Sequence, residues 1–374
     1  MVDVAKGITP VVMPKWGLEM REGTVTAWRV DEGARIEVGT PILEVETDKI
    51  SNAVEAPDPG LLRRKVAQEG QTLPVKALLG VLAEPEIGDA EIDAYVANYG
   101  VAAAGGDESQ ESGPAYEYAV VEGIRVRYAR CGEGQGTPVL FVHGFGGDLG
   151  NWLFNLDAVA EAAPVIALDL PGHGQSDTRL PGATLADLAR FIARFLDTLD
   201  VERAHLVGHS MGGAIALQLA SDAPQHVASL ALINPAGLGD EIDAGYLAGF
   251  IAAESRRELK PVVEKLFVDA SLVSRQLVDD LLKYKRIDGV AEVLCALQQA
   301  LFAGGRQAAR PGLRLAAKLP VLVVWGRDDR VIPAAHAANA PAGATVKVLE
   351  GAGHMTMMEK AGEVNALLKK HVAG

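Results

Sequence analysis

His205-Leu206-Val207-Gly208-His209-Ser210-Met211-Gly212-Gly213-Ala214-Ile215-Ala216-Leu217-Gln218-Leu219-Ala220 decides the fold of the larger part of this chain. A short apolar run enters Gly-x-Ser-x-Gly and a helical run leaves it, so the stretch reads strand, sharp turn, helix. Small residues at 208 and 212 permit a turn tight enough to expose the Ser210 hydroxyl, and the helix N-terminus behind it favours nearby negative charge. Upstream, Val139-Leu140-Phe141-Val142 reads as a buried parallel strand ending at His143-Gly144-Phe145-Gly146-Gly147. The glycines there let a backbone N–H aim at a developing oxyanion. Downstream, Val321-Leu322-Val323-Val324-Trp325 and Thr345-Val346-Lys347-Val348-Leu349 are two further strands. From about residue 115, apolar strands alternate with longer helical stretches, which predicts an α/β sheet.

On these motifs, and on Ala167-Leu168-Asp169-Leu170-Pro171-Gly172-His173-Gly174-Gln175-Ser176, residues 115–373 resemble the α/β-hydrolase family. The resemblance implies a helical cap inserted from about Leu238 to Ala317, and a nucleophile, acid and base in that chain order. Gly326-Arg327-Asp328-Asp329-Arg330-Val331-Ile332-Pro333 is similar to the family's G-x-x-D-x-x-x-P, which selects Asp329 over Asp328. Gly351-Ala352-Gly353-His354 follows the last strand and supplies the base. Ser210, Asp329 and His354 are therefore the expected catalytic residues, with the Met211 and Phe145 N–H groups facing the oxyanion. Structural or surface roles are expected for His143, His173, His205, His209, His226, His336 and His371. The Ala167–Ser176 block reads as support for the loops around the site.

Residues 8–83 have a different texture. Short strands (Val11-Val12-Met13, Gly23 to Trp28, Ile42 to Val45, Leu61-Leu62, Leu78 to Leu82) are punctuated by Gly and Pro. A 37-residue shift maps Gly23 onto Gly60, Glu32-Gly33 onto Glu69-Gly70, Val38 onto Val75 and Ile42 onto Leu79. Such a repeat predicts a flattened β-barrel of two similar sheets with a turn at its midpoint, Glu46-Thr47-Asp48-Lys49-Ile50-Ser51. An Asp-Lys turn projects one amine clear of the domain, where it can be acylated and can swing its cargo between distant sites. With Met13-Pro14-Lys15 near the start, these residues resemble the lipoyl domains of 2-oxo acid dehydrogenase complexes. The resemblance implies lipoate in amide linkage on Lys49. A biotinyl domain is the nearest relative, but its lysine usually lies between methionines, whereas Asp48 and Ile50 flank Lys49.

Residues 84–114 contain eight acids and no Lys or Arg, and read as an acidic flexible linker with a short helix around Glu91–Tyr99. The formal charge of −14 over 374 residues disfavours nucleic acid as a partner. Hydrophobic residues make up 49%, enough for a real core. Cys131 and Cys295 lack metal-ligand spacing and suit a reducing compartment. Neither a signal peptide nor an apolar run of about 18 residues is apparent, so a soluble cytoplasmic protein that binds no membrane is expected.

The pairing of one lipoyl domain with one α/β-hydrolase domain resembles the dihydrolipoamide acetyltransferase components of bacterial acetoin dehydrogenase complexes, over essentially the whole chain. That resemblance implies acetyl transfer from lipoyl-Lys49 to coenzyme A in acetoin catabolism. It also implies a homo-oligomer, a thiamine-diphosphate-dependent acetoin-cleaving partner and a flavin-dependent dihydrolipoamide dehydrogenase. Two departures from ordinary 2-oxo acid dehydrogenase cores stand out. Their H-x-x-x-D-G signature is missing, since His173 to Asp177 is followed by Thr178. The linker is acidic where a basic partner-binding segment is usual. The competing class is a hydrolase that cleaves an ester, thioester or carbon–carbon bond, fused to a lipoyl carrier. A third reading is a carrier and scaffold, against which the complete nucleophile, acid and base set counts. Residues 250–318 carry twelve Lys or Arg against eight acids, which either attracts the phosphates of coenzyme A or solvates the faces of cap helices.

Overall fold

The computed structural model describes residues 7–16, 20–47, 51–56, 58–104, 116–132, 134, 136–314 and 319–374. They belong to two compact units, residues 1–113 and 114–374.

In the first unit, β1 (Ile8–Val12), β2 (Glu22–Trp28), β3 (Arg35–Ile36), β4 (Pro41–Glu46), β5 (Ser51–Glu55), β6 (Gly60–Lys65), β7 (Thr72–Pro74) and β8 (Leu78–Ala83) form two four-stranded sheets. Their orders are β1-β8-β6-β3 and β5-β4-β2-β7, antiparallel throughout. Advancing each strand by four turns one order into the other, which is the 37-residue repeat expressed in hydrogen bonds. Both Glu-Gly turns put their glycine at positive φ (Gly33 at 91°, Gly70 at 81°), a region a side chain would strain. Val25, Ile42 and Val45 from one sheet meet Leu62, Leu79 and Leu82 from the other in a shared core. Helix α1 (Asp89–Ala104) then occupies much of the stretch read as a flexible linker. Ile92 is fully buried, and Tyr95, Val96 and Tyr99 pack with it over Ile8, Leu78, Val81 and Ala83. The correction has a plain cause. An apolar stripe at positions i, i+3, i+4 and i+7 secures one face of the helix, and Asp89 and Asp93 beside it pair with Arg63 and Arg64 of β6.

The second unit contains β9 (Glu117–Val121), β10 (Ile124–Cys131), β11 (Val139–Val142), α2 (Leu156–Ala160), β12 (Val165–Leu168), α3 (Leu185–Thr198), β13 (Ala204–His209), α4 (Met211–Asp222) and β14 (Val227–Ile233). Among the described residues, four α-helices follow before the sheet resumes, namely α5 (Ala244–Ala252), α6 (Arg256–Val263), α7 (Arg275–Lys285) and α8 (Val290–Phe302). The unit closes with β15 (Val321–Gly326), β16 (Thr345–Leu349), α9 (Thr356–Glu359) and α10 (Ala361–Ala373). Eight strands run in the order β16-β15-β14-β13-β11-β12-β10-β9. They are parallel from β16 to β12 and antiparallel at β10 and β9. Val139–Val142, Val165–Leu168 and Val321–Trp325 are buried on both faces, as parallel strands covered by helices must be. The loops after β11, β13, β14, β15 and β16 gather at the carboxyl ends of these strands, where ligands of open α/β sheets bind. No single described helix is long and apolar enough to cross a membrane.

Candidate active site

Ser210 joins β13 to α4 with φ 52° and ψ −118°. Such a backbone costs about 1–3 kcal/mol and persists only when its surroundings over-determine it. Here the Ser210 N–H donates to the Ile233 carbonyl (3.1 Å), and the Ser210 carbonyl accepts from Gly213 (3.0 Å) and Ala236 (2.9 Å). The approach is close enough to require glycine. A Cβ on Gly212 would stand 2.1 Å from the Val142 carbonyl oxygen, and one on Gly208 would stand 2.5 Å from that of Gly212.

Asp329 lies in the turn after β15, its side chain buried. Oδ2 accepts from His354 Nδ1 (2.8 Å), Asn234 Nδ2 (2.8 Å) and Trp325 Nε1 (3.1 Å). Oδ1 accepts from the Val331 and Ile332 N–H groups at 2.8 and 2.9 Å. Burial pushes the carboxyl up, but His354 and these donors outweigh it and hold the group below the usual aspartate range. The carboxylate fixes His354 with its proton on Nδ1, leaving Nε2 to act as a base.

Ser210 and His354 line one cavity, which contains about 700 Å³ of atom-free space, part of it open to solvent. No hydrogen bond joins Ser210 Oγ to His354 Nε2 among the described residues, and contacts of this type often tighten only when substrate is bound. The wall is mainly apolar and comes from both the sheet loops and the cap. Phe145 meets Phe250 and Phe302 edge to face, with centroids 6.2 and 6.4 Å apart. Of the two expected oxyanion donors, Met211 begins α4, so its N–H has no acceptor within the helix. The Phe145 N–H has no acceptor among the described residues either.

Several residues around the site are not evident from motifs. Asn234 directly follows β14 at φ 44° and donates from Nδ2 both to Asp329 and to the Gly353 carbonyl (3.1 Å). The available signal is a polar residue directly after an apolar strand, at the sheet's ligand-binding edge. His209 Nε2 donates to the His354 carbonyl (2.9 Å), and burial pushes its imidazole down to about 3. His143 accepts from the Leu170 N–H at Nε2 (2.9 Å) and is lowered to about 4 by burial. His173 packs on Tyr284 of the cap and is lowered to about 3 for the same reason. Within the 167–176 block, buried Asp169 accepts from Arg127 Nε (2.7 Å), the Leu149 N–H (2.9 Å) and the Gln175 N–H (2.8 Å).

Lys49 lies outside the described residues. The strands on either side of it in sequence, β4 and β5, pair antiparallel down to Glu46 opposite Ser51. Six of the cap's twelve basic residues pair with nearby acids: Arg256 with Asp279, Lys260 with Glu264, Lys265 with Asp243, Lys283 with Asp280, and Arg306 and Arg310 with Asp240.

Comparison with known proteins accounts for both units. A model of the α/β hydrolase fold matches residues 137–361, and a biotin/lipoyl model described as biotin-requiring enzyme matches residues 9–82. The chain is 64% identical over 373 residues to the dihydrolipoyllysine-residue acetyltransferase component of the acetoin cleaving system of Cupriavidus necator, covering 100% of this chain and 99% of the relative. The chain belongs to this acetyltransferase family. The Pseudomonas putida member is 51% identical, covering 97% of this chain and 99% of its own length. Among solved structures, a meta-cleavage product hydrolase from Pseudomonas fluorescens superposes with a TM-score of 0.62 at 23% identity, covering 68% of this chain and 97% of the hydrolase. That likeness concerns the fold of the second unit. The first unit is the lipoyl domain of the family.

Proposed function

We propose that the chain passes an acetyl group from a lipoyl thioester on Lys49, through Ser210, to coenzyme A within an acetoin-cleaving multi-enzyme system. The observation that carries this reading is the Ser210 turn and the Asp329–His354 pair facing one largely apolar cavity, in a chain related end to end to acetyltransferase components. When bound, lipoate supplies the thiol that presents the acetyl group. His354 Nε2 takes the Ser210 proton as Oγ attacks the thioester carbonyl, and the Met211 and Phe145 N–H groups face the oxyanion. The carbon–sulfur bond breaks, and His354 returns the proton to the departing thiolate. The thiol of coenzyme A then gives its proton to His354, attacks acetyl-Ser210, and Oγ recovers the proton. Asp329 keeps the imidazole in the required tautomer throughout.

The apolar wall suits an uncharged acetyl thioester, because an unpaired carboxylate buried there would pay a large desolvation penalty. The pairing of half of the cap's basic residues with acids supports the solvated-helix reading for those residues. Coenzyme A then enters by its thiol end. The partners are a thiamine-diphosphate-dependent acetoin-cleaving component and a flavin-dependent dihydrolipoamide dehydrogenase.

The test offers S-acetyl-dihydrolipoamide to the full chain with and without coenzyme A and identifies the products. Ser210→Ala is expected to lower acetyl coenzyme A formation by about 10⁴ or more, and in the wild type acetyl-Ser210 should be trapped when coenzyme A is withheld. If Ser210→Ala still forms acetyl coenzyme A normally while losing ester hydrolysis, a separate site performs the transfer and the hydrolase reading replaces this one.

A further inference from the structure

Glu359 is the last residue of α9, five positions beyond His354, and its carboxylate connects two parts of the cavity wall. Oε2 accepts the Gly353 N–H (2.6 Å) and Oε1 accepts the Val268 N–H (2.6 Å). The Asp269 backbone hydrogen-bonds to it as well. Gly353 directly precedes His354, whereas Val268 and Asp269 lie in the cap between α6 and α7. A second tie runs alongside, from the Met355 N–H to the Leu266 carbonyl (3.1 Å). The cap stretch 266–269 is thus fastened to the residues on both sides of His354, and Leu266 and Phe267 within it line the cavity.

Burial pushes the Glu359 carboxyl up, while the backbone donors from Gly353, Val268 and Asp269 act in the opposite direction. Hydrogen bonds to an ionised carboxylate are about twice as strong as neutral ones, and removing the acceptor leaves the donors on both sides of the seam unpaired. None of the Glu359 hydrogen bonds involves the side chains of Ser210, Asp329 or His354, so the proton relay is complete without it. Its influence falls on whether this edge of the cavity stays shut.

We propose that Glu359 is a positioning residue that latches the cap onto the His354 loop and so decides whether a thiol or water takes the acetyl group from Ser210. This rests on the acyl-relay reading above. Both acceptors use the same relay: a thiol yields the transferred thioester, and water yields acetate and free Ser210. Exclusion of water by the closed seam favours the thiol.

The experiment acylates the full-length wild type, Glu359→Gln and Glu359→Ala with 4-nitrophenyl acetate. Coenzyme A or dithiothreitol is the acceptor, and thioester and acetate are both quantified. The ratio of acetate to thioester should rise at least about tenfold in Glu359→Ala, and less in Glu359→Gln, which keeps one acceptor oxygen, while the nitrophenol burst rate changes by less than about threefold. An unchanged ratio in folded variants overturns the latch, as does a parallel loss of burst and both products. If Glu359→Ala does not fold, the ratio in Glu359→Gln decides. Absence of Ser210-dependent acetyl coenzyme A from S-acetyl-dihydrolipoamide in the wild type would sink the relay reading. The partition of nitrophenyl acetate to dithiothreitol still tests the latch separately.

Discussion

Five donors converge on the Asp329 carboxylate, and one of them holds more than the acid. Asn234 uses a single amide nitrogen to grip both Asp329 and the peptide that precedes His354. In Asn234→Ala, Trp325 and the two backbone N–H groups still hold the carboxylate, and Thr356 Oγ1 still donates to the Gly353 carbonyl (2.9 Å). The expected result is a fall in kcat of about tenfold to a hundredfold with KM nearly unchanged, against about 10⁴ for Asp329→Asn, which presents the wrong partner to the imidazole. Steady-state ester kinetics over pH check this, and a rise in KM with kcat intact would make Asn234 a substrate contact instead. The difference in legibility follows from chain separation. Asp329 and His354 each sit a few residues beyond an apolar strand, amid Gly and Pro that mark the turn. Asn234 meets Asp329 across 95 residues and Gly353 across 119, so its role exists only once β14 and β15 are paired.

Helix α1 shows the same principle one level up. Composition and periodicity disagree there, with a strongly acidic stretch that nonetheless repeats Ile92, Tyr95, Val96 and Tyr99 at helical spacing. Reading charge first gives a linker with a short helix, whereas the structure extends the helix to sixteen residues because its stripe covers an otherwise bare face of β8. The exposed pairs Arg63–Asp89 and Arg64–Asp93 add little, as surface ion pairs in water usually do. Stability should therefore depend on the apolar contact. Ile92→Ala is expected to destabilise the first unit by about 2–4 kcal/mol, and Asp93→Ala by well under about 1 kcal/mol. Amide exchange in β1 and β8 of the full chain measures the difference, with faster exchange expected there for Ile92→Ala and none in the second unit. Equal effects of the two substitutions would mean that the ion pairs, rather than the stripe, dock the helix.

For the molecule as a whole, the division into two units is legible because each carries its own periodicity, and the 37-residue repeat is legible because it is copied from one sheet to the other. The pH behaviour is not, since it depends on burial, which a lone histidine in a sequence does not reveal. His143, His173 and His209 are buried and neutral, lowered from 6.5 to about 4, 3 and 3 respectively, in each case chiefly by burial. A histidine depressed in the folded state binds its proton more readily once unfolded, so between these values the unfolded chain holds more protons than the folded one. Stability should then be flat above about pH 7 and fall as pH drops from about 6.5 towards 4, by up to about 1.4 kcal/mol per pH unit for each histidine. Asp329 acts in a lower window. Its folded value lies below 3.8, so its stabilisation is complete above the unfolded value and is lost only as pH falls through the folded one. Chemical denaturation at steps between pH 8 and 4.5 gives the slope, to which these three groups should contribute nearly three protons taken up on unfolding near pH 5, with His205 and His371, also held below the usual value by burial, adding to it. His173→Phe keeps a ring against Tyr284 and removes one titrating group, so its slope should be smaller than that of the wild type by about one proton whatever its absolute stability. A wild-type curve that stays level down to pH 5, or a His173→Phe slope equal to that of the wild type, would place the acid sensitivity of this protein outside these buried imidazoles.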